Sequence, residues 1–199
     1  MKLGDYKLIF VAMGLIGVLL IASPAIAGAI HAPAGEAFSE LYLLGPDLMA
    51  QNYPSNIVVG QNYSVYVAVG NHLGSLAYYE VYVKLANATD PMPNATLATP
   101  SLLEPLYDYR FTISDNTVWQ NLLTFKVTDA TTTQSSATMN TLQINNQTIN
   151  IDKTTNWNTN TTTYTYRLLI ELWLYNQQTA TTQFNNRYVD LQLNLTQTP

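Results

Sequence analysis

From Glu36 to the C-terminus, apolar side chains recur at every second position, the spacing that turns one face of a β-strand inward and the other outward. Tyr63, Val65, Val67 and Val69 alternate with Ser64, Tyr66 and Ala68. After the Gly/Asn-containing connection GNHLGS at 70–75, Tyr79, Val81, Val83 and Leu85 alternate with Tyr78, Glu80, Tyr82 and Lys84. The short connection makes these two runs neighbouring strands. Near the C-terminus, Leu168, Ile170, Leu172 and Leu174 form an apolar face, and Val189, Leu191, Leu193 and Leu195 stand against Tyr188, Asp190, Gln192 and Asn194. Leu41–Leu44, Tyr107–Ile113 and Val118–Val127 read as further strands. LQINNQTINI at 142–151 reads as a hairpin with Asn145 and Asn146 at its turn. Two stretches break the alternation. ANATDPMPNATLATP, 86–100, is a Pro-rich surface loop that cannot join a central ladder. DATTTQSSATMN, 129–140, reads as a mobile Thr/Ser-rich connection. Seven to eight short strands without a helical period predict an all-β domain over 38–199, an immunoglobulin-like β-sandwich.

The first thirty residues follow a different rule. Lys2 and Lys7 flank Asp5, and Leu8 to Ile30 then runs without a charge. As a helix that run would be roughly 34 Å long, slightly more than the hydrocarbon core of a bilayer. The lysines before it keep the N-terminus inside and deliver everything after Ile30 to the outside. Two readings share this topology. In one, Leu8–Ile21 is the apolar stretch of a signal peptide cut after the small-residue motif Ala25-Ile26-Ala27, with Pro24 ending its helix. In the other, residues 1–30 remain as a transmembrane anchor, since the apolar run continues to Ile30 and membrane helices tolerate Pro and Gly. Composition leaves the two level. Residues 31–37 form a linker in either case.

Charge changes the picture of the surroundings. Charged residues make up only 11% of the chain, and 8 Lys+Arg stand against 13 Asp+Glu. Polarity comes instead from Thr, Asn and Tyr, a surface suited to the outside of a cell. With no basic run beyond the N-terminus, nucleic acid is not an expected partner. The 0 Cys exclude a disulfide framework and thiolate metal sites.

Several phrases resemble the archaeal domain-of-unknown-function 1616 family: GDYKLI at 4–9, ASPA at 22–25, FSELYLLGP at 38–46, NYPSNIVVG at 52–60, AYYEVYVKL at 77–85 and YRLLIELWLYN at 166–176. The stretch from 129 to 163 matches poorly. The resemblance implies an extracytoplasmic β-domain held by one N-terminal membrane helix, and tips the choice toward a retained anchor. It carries no catalytic motif, so no active-site residues follow from it.

Six Asn-x-Ser/Thr sequons, at Asn62, Asn87, Asn94, Asn146, Asn160 and Asn194, are candidate N-glycan acceptors outside the cell. Chance alone gives about three in a chain so rich in Asn and Thr, so their placement away from the core faces counts for more than their number. His31 and His72 lie far apart without a carboxylate cluster and read as loop residues, not metal ligands. Glu80 with Lys84, and Arg167 with Glu171, read as cross-strand or same-face pairs and not as catalytic groups. No phosphate-binding Gly loop or G-x-S-x-G is present, and no cofactor is expected. Tyr66, Tyr78 and Tyr82 should share the non-core face of two neighbouring strands, where Tyr offers apolar area plus a hydroxyl for docking a partner; ordinary β propensity accounts for them equally simply. The expected function is that of a non-enzymatic, membrane-anchored extracellular glycoprotein, an interaction or accessory subunit of a membrane or cell-envelope complex. Its expected partners are lipid, through the N-terminal helix, and envelope or membrane proteins. The alternative is a secreted subunit of a surface filament or layer, self-assembling through strand donation by residues 28–45.

Overall fold

The computed structural model describes residues 6–7, 11–18, 36–159 and 162–196. The chain divides into two units, Met1–Ala37 and Phe38–Pro199. In the first, residues 11–18 are helical, with Val11, Met13, Leu15, Ile16 and Val18 exposed. Among the described residues no helix is long and apolar enough to cross a membrane. Of the expected span Leu8–Ile30 only residues 11–18 are described, and the Ala25-Ile26-Ala27 motif and most of the linker 31–37 lie outside the described residues.

The second unit is all-β. Its described strands are β1 (Phe38–Leu44), β2 (Asn56–Ile57), β3 (Tyr63–His72), β4 (Ala77–Asn87), β5 (Tyr107–Ile113), β6 (Thr117–Thr132), β7 (Ser136–Ile144), β8 (Gln147–Asn158), β9 (Thr163–Asn176) and β10 (Thr181–Leu195). These ten exceed the seven to eight expected. One ladder runs β1-β3-β6-β7-β8 and another β5-β4-β9-β10-β2. The end of β8 joins them into a single curled sheet, through Trp157 opposite Tyr164 and Asn158 opposite Thr163. Every pairing is antiparallel except the short parallel contact of β10 with β2. The alternation read from the sequence fills one core: Val65, Val67 and Val69 of β3 meet Val81 and Val83 of β4, Leu123 and Val127 of β6, and Leu168, Ile170, Leu193 and Leu195 of β9 and β10.

Two local expectations are corrected. The Thr/Ser-rich stretch 129–140 is mostly strand, because β6 runs to Thr132 and β7 begins at Ser136. Thr is β-branched and suits a pleated strand, and bulges around Asp129 and Thr141 let the long hairpin follow the curl. The second correction concerns β3 and β4, which are not neighbours. β3 pairs with β1 and β6, whereas β4 pairs with β5 and β9. The connection at 73–76 therefore crosses from one ladder to the other. Buried Asn71 fixes the crossing, donating from Nδ2 to the carbonyls of Ser75 at 2.8 Å and Ile113 at 2.9 Å. The hairpin at 142–151 is present as read, with Asn145 at φ 43° in a two-residue turn, a conformation Asn tolerates better than most residues. Residues 38–44 of the segment considered for donation to a neighbour are β1, paired with β3 of the same chain.

Candidate functional site on the outer face of β4 and β9

Register builds this site. Residues of β4 that point away from the core, Tyr78, Glu80, Tyr82 and Lys84, lie beside Leu169, Glu171, Trp173 and Tyr175 of β9, because Tyr82 pairs with Glu171 and Glu80 with Trp173. β5 adds Asp108 and Arg110 opposite Tyr82 and Glu80, and β10 adds Phe184 opposite Trp173. The result is an aromatic surface in two groups: Tyr82 and Trp173 have ring centroids 5.2 Å apart and Trp173 and Phe184 6.1 Å, while Tyr78 meets Tyr175 edge-on at 6.2 Å. Glu80 lies between the two tyrosines of its own strand, accepting from the Tyr82 and Tyr78 hydroxyls. Burial, and then the bond it donates to Glu80 and that carboxylate's charge, push the Tyr82 phenol up to about 12.

One end of this face is covered. Ala86, Leu169 and Glu171 have outward parity yet are 0% exposed, because the Pro-rich segment after β4 folds back across them. The segment starts in a turn held by Asn87, whose Oδ1 accepts from the backbone N–H groups of Thr89 and Asp90, both at 2.9 Å. It is pinned at Ser101. The Ser101 N–H donates to Glu171 Oε1 at 2.7 Å, and its carbonyl accepts from Lys84 Nζ at 2.9 Å. Lys84 Nζ and Glu171 Oε2 form an ion pair at 2.9 Å, and Trp173 Nε1 donates to the same oxygen at 3.2 Å. Each partner is thus charge-paired and hydrogen-bonded, the condition for holding charges away from water.

The expected pairs are therefore rearranged. Lys84 pairs with Glu171 and not with Glu80, and Arg167 reaches Asp190 at 3.4 Å and not Glu171. Each expected pair does share one face of one strand, but its members stand four residues apart, roughly 13 Å, so the ion pairs form with neighbouring strands instead. Because β3 and β4 are not neighbours, the three tyrosines do not share a face: Tyr78 and Tyr82 lie together on β4, while Tyr66 sits on β3 between Leu44 and Leu122. Trp173, Tyr175, Phe184, Asp108 and Arg110 went unrecognised as members of the site. The alternation of YRLLIELWLYN does place Arg167, Glu171, Trp173 and Tyr175 on one outward face, and that was the available signal.

Of the sequons, Asn62, Asn94 and Asn146 are exposed and Asn87 is half-buried. Asn87 also donates from Nδ2 to the Thr154 carbonyl at 2.9 Å. Asn194 is half-buried, flanked by Thr165 and Asn56, and Asn160 lies outside the described residues. His72 stacks on Phe38 and lies 3.7 Å from Glu40, and His31 lies outside the described residues. Among the described residues no three His, Asp or Glu side chains come together to hold a metal ion. The chemistry available on the outer face is recognition: rings to stack, and carboxylates and a guanidinium at their border.

The model of a family described as a domain of unknown function, DUF1616, matches residues 32–138. No curated protein matches the chain. Among solved structures, it is similar to a β-glucosidase from Listeria innocua in complex with glucose, at 9% identity and a TM-score of 0.39 over 80% of this chain and 16% of that one. It therefore spans about a sixth of that enzyme's length. It is also similar to a chain of the complex between zinc α2-glycoprotein and prolactin-inducible protein from human seminal plasma, at 8% identity and a TM-score of 0.40 over 83% of this chain and 100% of that one. A third similarity is to the CARDB domain of a Pyrococcus furiosus protein in complex with di-metal ions, at 12% identity and a TM-score of 0.36 over 79% and 94% of the two chains.

Proposed function

We propose, from the premise that this chain belongs to the DUF1616 family, that it is a non-enzymatic binding subunit displayed outside the cell. In this reading the curled sheet is an immunoglobulin-like sandwich, held at the membrane by an uncleaved Leu8–Ile30 span and carrying N-glycans. The observation that carries the reading is the outer face of β4, β9 and β10. There Tyr78, Tyr82, Trp173, Tyr175 and Phe184 form an aromatic surface that the core does not use, bordered by Asp108 and Arg110. Aromatic side chains backed by a rigid sheet and rimmed by charge are the composition of protein interfaces. A tether supports the same role, because it raises the effective concentration of the face near neighbours in the same membrane. The uncharged run and its N-terminal lysines support the location.

The test is crosslinking and affinity recovery from native membranes. The double variant Tyr78→Ser/Tyr175→Ser should lose a partner that Tyr66→Ser retains, since Tyr66 lies on the other ladder and serves as the internal control. Equal recovery by all three proteins removes this face from consideration. Intact mass showing a mature chain that begins at Gly28 removes the anchor.

A further inference from the structure

The curled sheet leaves two strand edges open beside each other. Among the described residues β1 is paired only with β3, and the far side of β10 only at Asn194 and Leu195, with β2. Between Phe38–Tyr42 of β1 and Asn186–Tyr188 of β10 lies a cleft of about 530 Å³, with Ala95 at its rim. That volume falls within the roughly 300–1,000 Å³ typical of ligand sites.

The open edge of β1 has a defined polarity. The Leu43 carbonyl accepts from the Tyr53 hydroxyl at 2.8 Å, so it points away from β3. Alternation along a strand then turns the N–H and C=O groups of Leu41 and Ser39 to the same side. Among the described residues no backbone hydrogen bond outside the β1–β3 ladder reaches them. Ser39 is buried and Leu41 only half-buried, so the edge is open at Leu41, where it is a template for one more strand.

The opposite wall supplies a cation. Arg187 lines the cleft half-buried, just after the bulge between Phe184 and Arg187. Its contacts are neutral and long, to the Asn185 carbonyl at 3.4 Å and Asn185 Oδ1 at 3.5 Å. No carboxylate of the described residues lies within ion-pair distance of it. Glu40, the one acid on the cleft wall, is turned toward His72 at 3.7 Å. The charge of Arg187 reaches the Tyr79 phenol, whose hydroxyl meets Ser39 Oγ at 2.8 Å on the inner side of β1. A guanidinium in this position lacks the planar anion it binds best, a carboxylate. A small anion would satisfy Arg187 and leave the edge of β1 open. An extended main chain ending in a carboxylate satisfies both.

We propose that this cleft binds the C-terminal residues of an extended peptide, added as a strand along β1 with its terminal carboxylate on Arg187. The mode is β-augmentation, and the proposal is independent of the outer aromatic face. Leu41 supplies the backbone pairing, and Phe38 and Tyr42 flank the added chain.

The experiment uses the full chain in detergent micelles and a library of randomised hexapeptides with free C-termini. An enriched peptide is resynthesised as the free acid and as the C-terminal amide. Binding of the acid is expected, with slowed hydrogen exchange at the Leu41 amide. Loss of the carboxylate in the amide, or of its partner in Arg187→Gln, should weaken binding roughly tenfold or more. Arg187→Lys should recover part of the loss, and acetate should compete only weakly. The proposal is overturned if no peptide is enriched, if acid and amide bind alike, or if acetate displaces the peptide as the peptide displaces itself. Binding without protection of Leu41 overturns strand addition. If Arg187→Gln melts below wild type, the acid and amide comparison on the unaltered chain decides.

Discussion

At the scale of single residues, the ion pair of Lys84 with Glu171 holds the greatest leverage. Their side chains are 4% and 0% exposed, and the pair ties together two strands and the segment that covers them. Such a pair need not be stabilising as a whole, because desolvating both ions offsets much of their attraction. Removing one partner is different, since it leaves the other charge buried alone. Lys84→Met is therefore expected to cost about 3–5 kcal/mol, and Glu171→Leu a similar amount. The double variant should recover much of that loss, because it leaves no orphan ion. Urea unfolding of the four proteins completes the cycle. Single variants as stable as wild type would mean that water reaches the pair. Neither partner was legible as such from the sequence: Lys84 and Glu171 each stand at an outward position of an alternating strand, and only the pairing of β4 with β9 and the fold-back of the covering segment bury them.

At the scale of elements, local periodicity was a reliable guide and neighbour choice was not. Tyr107–Ile113 was read to its ends, and Val65, Val67 and Val69 face the core as their alternation requires. Period two reports which face of a strand is apolar, and this information is local. Which strand lies alongside is decided by non-local packing, and Asn71 settles it by bonding to Ile113 some forty residues away. The cleft beside β1 was equally hidden, because an open edge exists only once every other strand has been placed. Strand parity itself is directly testable on β10. Leu193 is 0% exposed and Gln192 is exposed. Leu193→Asp should lose several kcal/mol or force the new carboxyl to stay protonated, whereas Gln192→Asp should stay within about 0.5 kcal/mol. Equal thermal melting of the two variants would contradict the register of β10 against β9.

At the scale of the whole molecule, tyrosine is structural material as much as surface. Tyr79, Tyr164 and Tyr166 are among the largest fully buried side chains, in a chain with 14 Tyr and 5 Phe. A buried hydroxyl needs a partner: Tyr166 donates to the Ala137 carbonyl at 2.7 Å, Tyr79 meets Ser39 Oγ at 2.8 Å, and the nearly buried Tyr109 accepts from Asn145 Nδ2 at 2.9 Å. Burial pushes the phenols of Tyr109 and Tyr166 up to about 12, although their hydrogen bonds pull the other way, and Tyr82 reaches a similar value on the outer face. An unfolded phenol ionises near 10. Between pH 10 and 12 the unfolded chain therefore releases protons that the native chain keeps. The stability linked to those protons is fully present below pH 10 and is lost as pH rises through the native values. Alkaline titration followed by phenolate absorbance should show a second group of phenols appearing only near 12, together with loss of the β-sheet circular dichroism. Replacing Tyr109 and Tyr166 with Phe should shrink that second group and shift the unfolding midpoint to higher pH. A single ionisation step near 10 with the sheet intact would show that the buried phenols are open to water.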